Sequence, residues 1–261
     1  MVGPFRADIG YTMRGDGKVQ PGARWISGLI IAGGRSSRMG QDKALLPVGG
    51  LPLIAVLLAR MAPHCGRIII AAGDERRARE YRAAIAPALE GGAIAERRVA
   101  FALDRYAGCG PLAGLHAGLS ELQTGWALVT GSDMPNVSAS LLARMRAAAA
   151  AAGAAAAVVH APGQPFHALY RAGLAREVAE RLERGDRRLM ALLERPDAVV
   201  VAPETDEERE AFVNLNTPEA YTAYVARYGD NIENIQKISR IRKFKSCTLY
   251  FNIRRFAIDR D

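Results

Sequence analysis

The chain alternates between short, unbroken apolar runs and longer stretches in which apolar residues return every three or four positions. The first kind suits strands buried on both faces; the second suits helices that lay one face on a core. The pattern predicts strands over 26–32, 67–72 and 99–103, the last delivering Asp104 at its end. Helices are predicted over 51–61, with Pro52 near the start where its missing N–H costs little, and over 74–85. A further helix opens at Gly110-Pro111, and its small residues at helical spacing (Ala113, Gly114, Ala117, Gly118) require close packing on something flat. A strand over 126–130 runs into Gly131-Ser132-Asp133-Met134-Pro135. Ser138 or Ser140 then caps a helix that passes through an alanine-rich tract and stops at Gly153. Beyond it come strands over 154–160 and 166–170, an amphipathic helix over 174–182 and a turn in which Asp186 is the N-cap of the next helix. A late strand over 198–202 and a helix from Thr217-Pro218 through Tyr224 complete the pattern. Strands alternating with helices in this order predict an α/β fold around an open, parallel sheet, with ligands beyond the carboxyl ends of its strands.

The ends do not share this rhythm. Residues 1–26 mix Gly, Pro, Arg and Asp without period and read as a flexible leader. From 229 alanine nearly vanishes, and 229–261 reads as a basic appendage in which Ile232, Ile235 and Ile238 have roughly helical spacing. The 261 residues hold one α/β domain over 27–228 plus these ends. The net charge of +8 suggests nucleic acid until it is located: residues 230–261 carry eight Lys/Arg against four Asp/Glu, and 1–26 carry four against two. The middle therefore holds only +2, with no basic stripe interleaved with aromatics, so nucleic-acid binding is not expected. No apolar run approaches the ~20 residues that cross a bilayer, and no secretory leader is evident. Cys65, Cys109 and Cys247 lie far apart, which argues for a reducing cytoplasm and against a disulfide framework or zinc site.

The candidate chemistry centres on residues 29–43, Leu-Ile-Ile-Ala-Gly-Gly-Arg-Ser-Ser-Arg-Met-Gly-Gln-Asp-Lys. A buried strand that breaks at Gly33-Gly34 lets backbone N–H groups approach phosphate oxygens, and Arg35, Arg38 and Lys43 add the charge that suits a triphosphate. It is no Walker A loop, because Gln41 rather than Lys follows Gly40. Ile31–Gly34, Arg38-Met39-Gly40 and Asp42-Lys43 resemble the signature of the molybdenum cofactor guanylyltransferase family. Gly110-Pro111-Leu112-Ala113-Gly114, Asp133-Met134-Pro135 and Phe212-Val213-Asn214-Leu215-Asn216-Thr217-Pro218-Glu219 extend that resemblance, which covers residues 27–228.

The resemblance implies a three-layer α/β/α, Rossmann-like nucleotidyltransferase fold and transfer of GMP from GTP to molybdenum-molybdopterin, with release of pyrophosphate. It implies Arg38, Lys43 and Asp133 as catalytic residues, with Asp133 the Mg²⁺ ligand. Ile31, Ala32, Gly33, Gly34, Lys43, Asp104 and Asp133 are the implied nucleotide contacts, Asp104 at base or sugar. Arg187 and Arg188 are expected at the second, anionic substrate, with a solvated surface turn as the alternative for Arg187. Asn214 and Asn216 either contact that substrate or complete the metal shell. Apoproteins that receive the cofactor, or other proteins of its synthesis, are the implied partners of a cytoplasmic monomer. Ala71-Ala72-Gly73 departs from the family, which has an Asn there, so guanine needs another donor or a backbone contact. Cytidylyl transfer is the alternative within the same chemistry; related cytidylyltransferases tend to carry Asp where Asn214 and Asn216 stand. A sugar-phosphate nucleotidyltransferase is more distant, and a non-catalytic carrier of finished cofactor would not need Arg38, Lys43 and Asp133 together.

Overall fold

The computed structural model of the chain describes residues 26–33, 42–90, 94–122 and 125–229, and the backbone of 11–13 and 19–21. Its frame is set by the apolar runs. Strand β1 (Ile26–Ile31) pairs in parallel on both sides, with β2 (Ile68–Gly73) and, as the structure arranges it, with the later run Trp126–Gly131. Val99–Leu103 forms β3, parallel to β2, and Trp126–Gly131 is β4. Strand β6 (Ala168–Arg171) runs antiparallel between β4 and β5 (Val158–His160), and β7 (Ala198–Val200) lies parallel on β5. The order is β7-β5-β6-β4-β1-β2-β3, so one strand alone reverses direction in a seven-stranded sheet.

Each face carries its own core. Helices α1 (Leu53–Met61), α2 (Glu75–Glu90) and α4 (Ala139–Ala152) pack on the face presented by Ile30, Ile70 and Leu128. Helices α3 (Pro111–Ser120) and α5 (Leu174–Glu183) cover the opposite face, presented by Leu29, Ile69 and Val129. This is the expected three-layer α/β/α arrangement. The close packing predicted for α3 is present: a Cβ on Gly118 would lie 2.1 Å from Leu29 Cδ1, and one on Gly114 2.9 Å from Ile31 Cγ2. Neither glycine has room for a side chain.

Helix α6 (Asp206–Arg209) is short, and α7 (Pro218–Tyr228) is capped by the Thr217 side chain, which accepts from Ala220 N–H at 3.2 Å. A third apolar cluster joins Leu215 and Tyr224 to Val48, Leu51, Leu53 and Val56, and it holds residues 214–216 against the start of α1.

Several boundaries differ from the sequence expectation. Leu51-Pro52 pairs with Pro47-Val48 as a two-stranded ladder, and α1 begins only at Leu53. Helix α2 continues through Pro87 to Glu90, because Ala88 prolongs the buried stripe of Ala78, Tyr81 and Ile85. Ser138, not Ser140, caps α4 by accepting from Leu141 N–H. The strand expected from 154 starts at Val158, after a 3₁₀ turn over Gly153–Ala155. Within the expected leader Tyr11–Met13 pairs antiparallel with Val19–Pro21, strands too short for a period to betray. Asp186 caps no helix; the next element is the 3₁₀ turn Leu189–Leu192, preceded by Arg188. The short helix suggested by Ile232, Ile235 and Ile238 lies outside the described residues.

Candidate active site

Strands β1, β2, β3 and β4 all release their chains at the same edge of the sheet. Ala32 N–H donates to Ala71 O at 2.9 Å, Ser132 N–H to Ile31 O at 3.0 Å and Asp104 N–H to Gly73 O at 2.9 Å, so the four exits stay in register just past the strands. Gly33 lies against Gly73, and a Cβ on either would come within 3.4–3.6 Å of the other's backbone. Gly34 and Arg38 belong to residues outside the description.

The chain returns at Asp42, whose carboxylate accepts from Ala44 N–H at 3.1 Å and starts the turn Lys43–Leu45. Lys43 is thereby aimed across the edge. Its ammonium lies 3.8 Å from Asp133 Oδ2 and donates to Asn216 Oδ1. Three segments, the outer two 173 positions apart, thus meet on one cation. Asp133 leaves β4 through a tight turn closed by Met134 N–H to Gly131 O at 3.0 Å. A Cβ on Gly131 would sit 2.7 Å from Asp133 Oδ1, so the glycine makes space for the carboxylate. Burial pushes the Asp133 carboxyl above its ordinary range, and Lys43 partly offsets this. Leu215 N–H donates to Asp133 O at 2.9 Å, which fastens the Asn214-Leu215-Asn216 segment to the same turn. Asn214 Oδ1 is buried without a hydrogen-bond partner.

Asp104 stands at the other end of the edge. Its Oδ2 is 3.5 Å from the position of a Cβ on Gly33, its Oδ1 is buried without a partner, and burial raises its pKa against the opposing effect of Arg77. Ile31 and Ala32 are buried in the first strand and just past it, so any contact they make with a nucleotide is through backbone. The two arginines expected at a second substrate are not gathered here. Asp186 pairs with Arg181 at 2.8 Å and with Arg188 at 3.0 Å, and those partners hold its carboxyl well below the usual range. Arg187 is exposed, and neither arginine is bonded to Lys43, Asp133 or the asparagines.

Two supports escaped the sequence reading. The Tyr81 hydroxyl lies 2.6 Å from Asp42 Oδ2 and 2.9 Å from Ala32 O, so one side chain spans both ends of the glycine loop. Its one signal was position: Tyr81 falls on the apolar stripe of a helix that reads as polar. The second is a clasp in which Arg60 donates to Pro135 O at 2.9 Å, to Asn136 and to Tyr224, while Tyr224 donates to Asn136 at 2.9 Å. It ties the turn after Asp133 to α7. A cavity of about 600 Å³ opens behind this clasp, lined by Arg60, His64, Asn136 and Tyr228, and Lys43, Asp104 and Asp133 do not line it.

An edge that offers cationic side chains and carboxylates along a nucleotide's length suits an enzyme that passes a nucleotidyl group straight from a triphosphate to an acceptor that is already an anion. That class is the nucleotidyltransferases. A structure described as a nucleotidyl transferase from Methanothermobacter thermautotroptrophicus matches with a TM-score of 0.57 at 24% identity, covering 78% of this chain and 97% of the other. Molybdopterin-guanine dinucleotide biosynthesis protein A from Archaeoglobus fulgidus matches with a TM-score of 0.61 at 24% identity, over 80% of this chain and 99% of its own. At that identity the likeness speaks for the fold. The family model of the MobA-like NTP transferase domain matches residues 28–200, and the chain belongs to that family. Among its relatives, a molybdenum cofactor guanylyltransferase of Yersinia pestis (strain Pestoides F) is 35% identical over 195 residues, 74% of this chain and 91% of the relative.

Proposed function

We propose that the chain transfers GMP from GTP to molybdenum-molybdopterin, releasing pyrophosphate and forming the guanine dinucleotide form of the cofactor. The observation that carries this reading is the meeting of Lys43, Asp133 and Asn216, one residue from each of three sequence motifs. The name of the Yersinia relative supports the choice of guanylyl acceptor chemistry.

A phosphate oxygen of the acceptor attacks the α-phosphorus of GTP; that O–P bond forms as the bond from the α-phosphorus to the bridging oxygen breaks, and pyrophosphate carries away the electron pair. The acceptor is already an anion, so the protein's task is alignment and neutralisation of charge. Backbone amides at Gly33, with Gly34 and Arg38 of the following loop, hold the terminal phosphates. Lys43 faces the α-phosphate, where charge passes between entering and leaving oxygens. The Asp133 carboxylate, paired with Lys43, keeps it extended across the edge.

Mg²⁺ fits this site. Its hard-oxygen preference is met by the Asp133 carboxylate, and Asn214 Oδ1 is a buried oxygen lacking any partner on a segment bonded to Asp133. Among the described residues no group of three or more His, Cys, Asp or Glu could hold a metal ion, so Asp133 with the Asn214 oxygen would be the protein's share of the site. Bound there, the ion draws negative charge off the phosphate oxygens. Arg187 and Arg188 remain the proposed contacts for the second substrate. Among the described residues no helix is long and apolar enough to cross a membrane, and Cys65 and Cys109 are free thiols, the state a reducing cytoplasm maintains.

The test is to mix the protein with GTP, Mg²⁺ and molybdenum-molybdopterin and identify the product by mass. The guanine dinucleotide with stoichiometric pyrophosphate is expected; a clear preference for CTP, or no dinucleotide, overturns the reading.

A further inference from the structure

Asp104 has a buried carboxylate oxygen with no hydrogen-bond partner among the described residues, and it stands beside the guanidinium of Arg77, which also lies near Asp42. Asp74 follows β2, and its side chain accepts from Arg77 N–H at 2.9 Å, which fixes Arg77 in the first turn of α2 immediately past the strand's end. The guanidinium folds back over the Gly33–Gly73 seam. A Cβ on Gly73 would lie 3.6 Å from Arg77 Nη1, 3.6 Å from Gly33 Cα and 3.9 Å from Asp104 Oδ2. Arg77 Nε is 3.9 Å from Asp42 Oδ2, and the side chain is only 20% exposed. Gly73 has φ of +85°, so the chain there takes a conformation that suits glycine and leaves the seam bare.

Distance along the edge says what this pair faces. Asp133 follows β4 and Asp104 follows β3, three strand steps apart in the order β4-β1-β2-β3. At ~4.8 Å per step that is about 14 Å. A nucleotide with its phosphates at Lys43 and Asp133 spans that gap, and its base arrives at Gly73, Arg77 and Asp104.

We propose that Arg77 is a base-reading residue that selects guanine: its guanidinium donates to O6 and N7 while the Asp104 carboxylate, whose Oδ2 faces the glycine seam, accepts from the base's N–H groups. The chemistry is directional. Guanine offers the acceptors O6 and N7 side by side, which a guanidinium fork matches, whereas adenine places an N6 amine where O6 would be and turns a donor toward the arginine. Ala71-Ala72-Gly73 supplies no side-chain donor at this edge, and Arg77 is the side-chain donor nearest to it on the helix that follows.

The inference rests on the guanylyltransferase reading but is tested without the second substrate. Mg²⁺·GTP and Mg²⁺·ATP are titrated separately into the wild-type protein, Arg77→Gln and Arg77→Lys. Arg77→Lys keeps a cation near Asp42 and loses the fork, which guards against a variant that merely fails to fold. Wild type is expected to bind GTP more tightly than ATP, and both variants to lower that preference by about tenfold to a hundredfold while ATP binding holds. No preference in wild type, equal weakening of both nucleotides, or unchanged selectivity overturns the proposal. The guanylyl reading fails separately, if wild type selects GTP here yet makes no guanine dinucleotide with molybdenum-molybdopterin.

Discussion

The two ends of the sheet's carboxyl edge are built on opposite principles. At the phosphate end Lys43 meets Asp133 and Asn216, so the protein's own charges neutralise one another. At the proposed base end Asp104 keeps an oxygen buried without a partner among the described residues, and the Arg77 guanidinium lies over a seam of bare glycine backbone. The first arrangement holds catalytic groups in place and gives way to a more highly charged ligand. The second is complete only with a ligand's hydrogen-bond donors in it. On the proposed reading, alignment is stored in one half and selectivity in the other.

Substitutions at the two ends should separate accordingly. The largest effect is expected from Lys43→Ala, which removes the cation facing the α-phosphate: kcat for pyrophosphate release should fall more than ~100-fold, whichever triphosphate is supplied. Gly131→Ala, which drives a methyl group into the Asp133 carboxylate, should lower kcat by about tenfold or more while the melting temperature stays within a few degrees of wild type. Equal losses in kcat and stability would mean that this turn serves the fold rather than the site. Asp104→Asn should act at the other end, raising KM for GTP about tenfold with little change in kcat, as steady-state kinetics will show.

Asp104 also carries a stability signature. Burial raises its folded pKa above the ordinary 3.8, so the native state binds more protons than the unfolded chain between those values, and stability falls as pH rises through that window. Asp104→Asn removes that slope. Thermal melts from pH 4 to 7 should show a flatter profile and a Tm at pH 7 above that of wild type. The smallest kinetic effect is expected from Tyr81→Phe. Losing the hydroxyl between Asp42 and Ala32 O should cost about 1–2 kcal/mol in denaturant unfolding and only a few-fold in kcat.

This contrast also explains what could be read from the sequence. Lys43, Asp133 and Asn216 each sit in a short motif whose residue types state their chemistry, and strand order alone carries them to one edge. The strands were legible because β1 and β2 are unbroken apolar runs, and α3 because Gly114 and Gly118 leave no side chain to keep it off the sheet. Arg77 and Tyr81 were not legible. Both lie on a helix whose composition is polar, and their roles depend on where Asp74 starts that helix and on which turn faces the seam. Asp186 misled for a related reason: Gly185-Asp186 has the residue types of a helix start, but Arg181 and Arg188 capture the carboxylate first. The Arg60 clasp joins residues 75 and 164 positions apart, which no local pattern announces.

The most direct measurement is single-turnover release of pyrophosphate from GTP by Asp133→Asn, with molybdenum-molybdopterin present and Mg²⁺ varied. This variant keeps the shape of the side chain and removes only its charge. Turnover should fall more than ~100-fold at every Mg²⁺ concentration tested, with half-saturation by Mg²⁺ displaced to higher concentration. Turnover near the wild-type rate, with an unmoved Mg²⁺ dependence, would contradict the assembly of Lys43, Asp133 and the asparagine turn around a single metal-bound triphosphate.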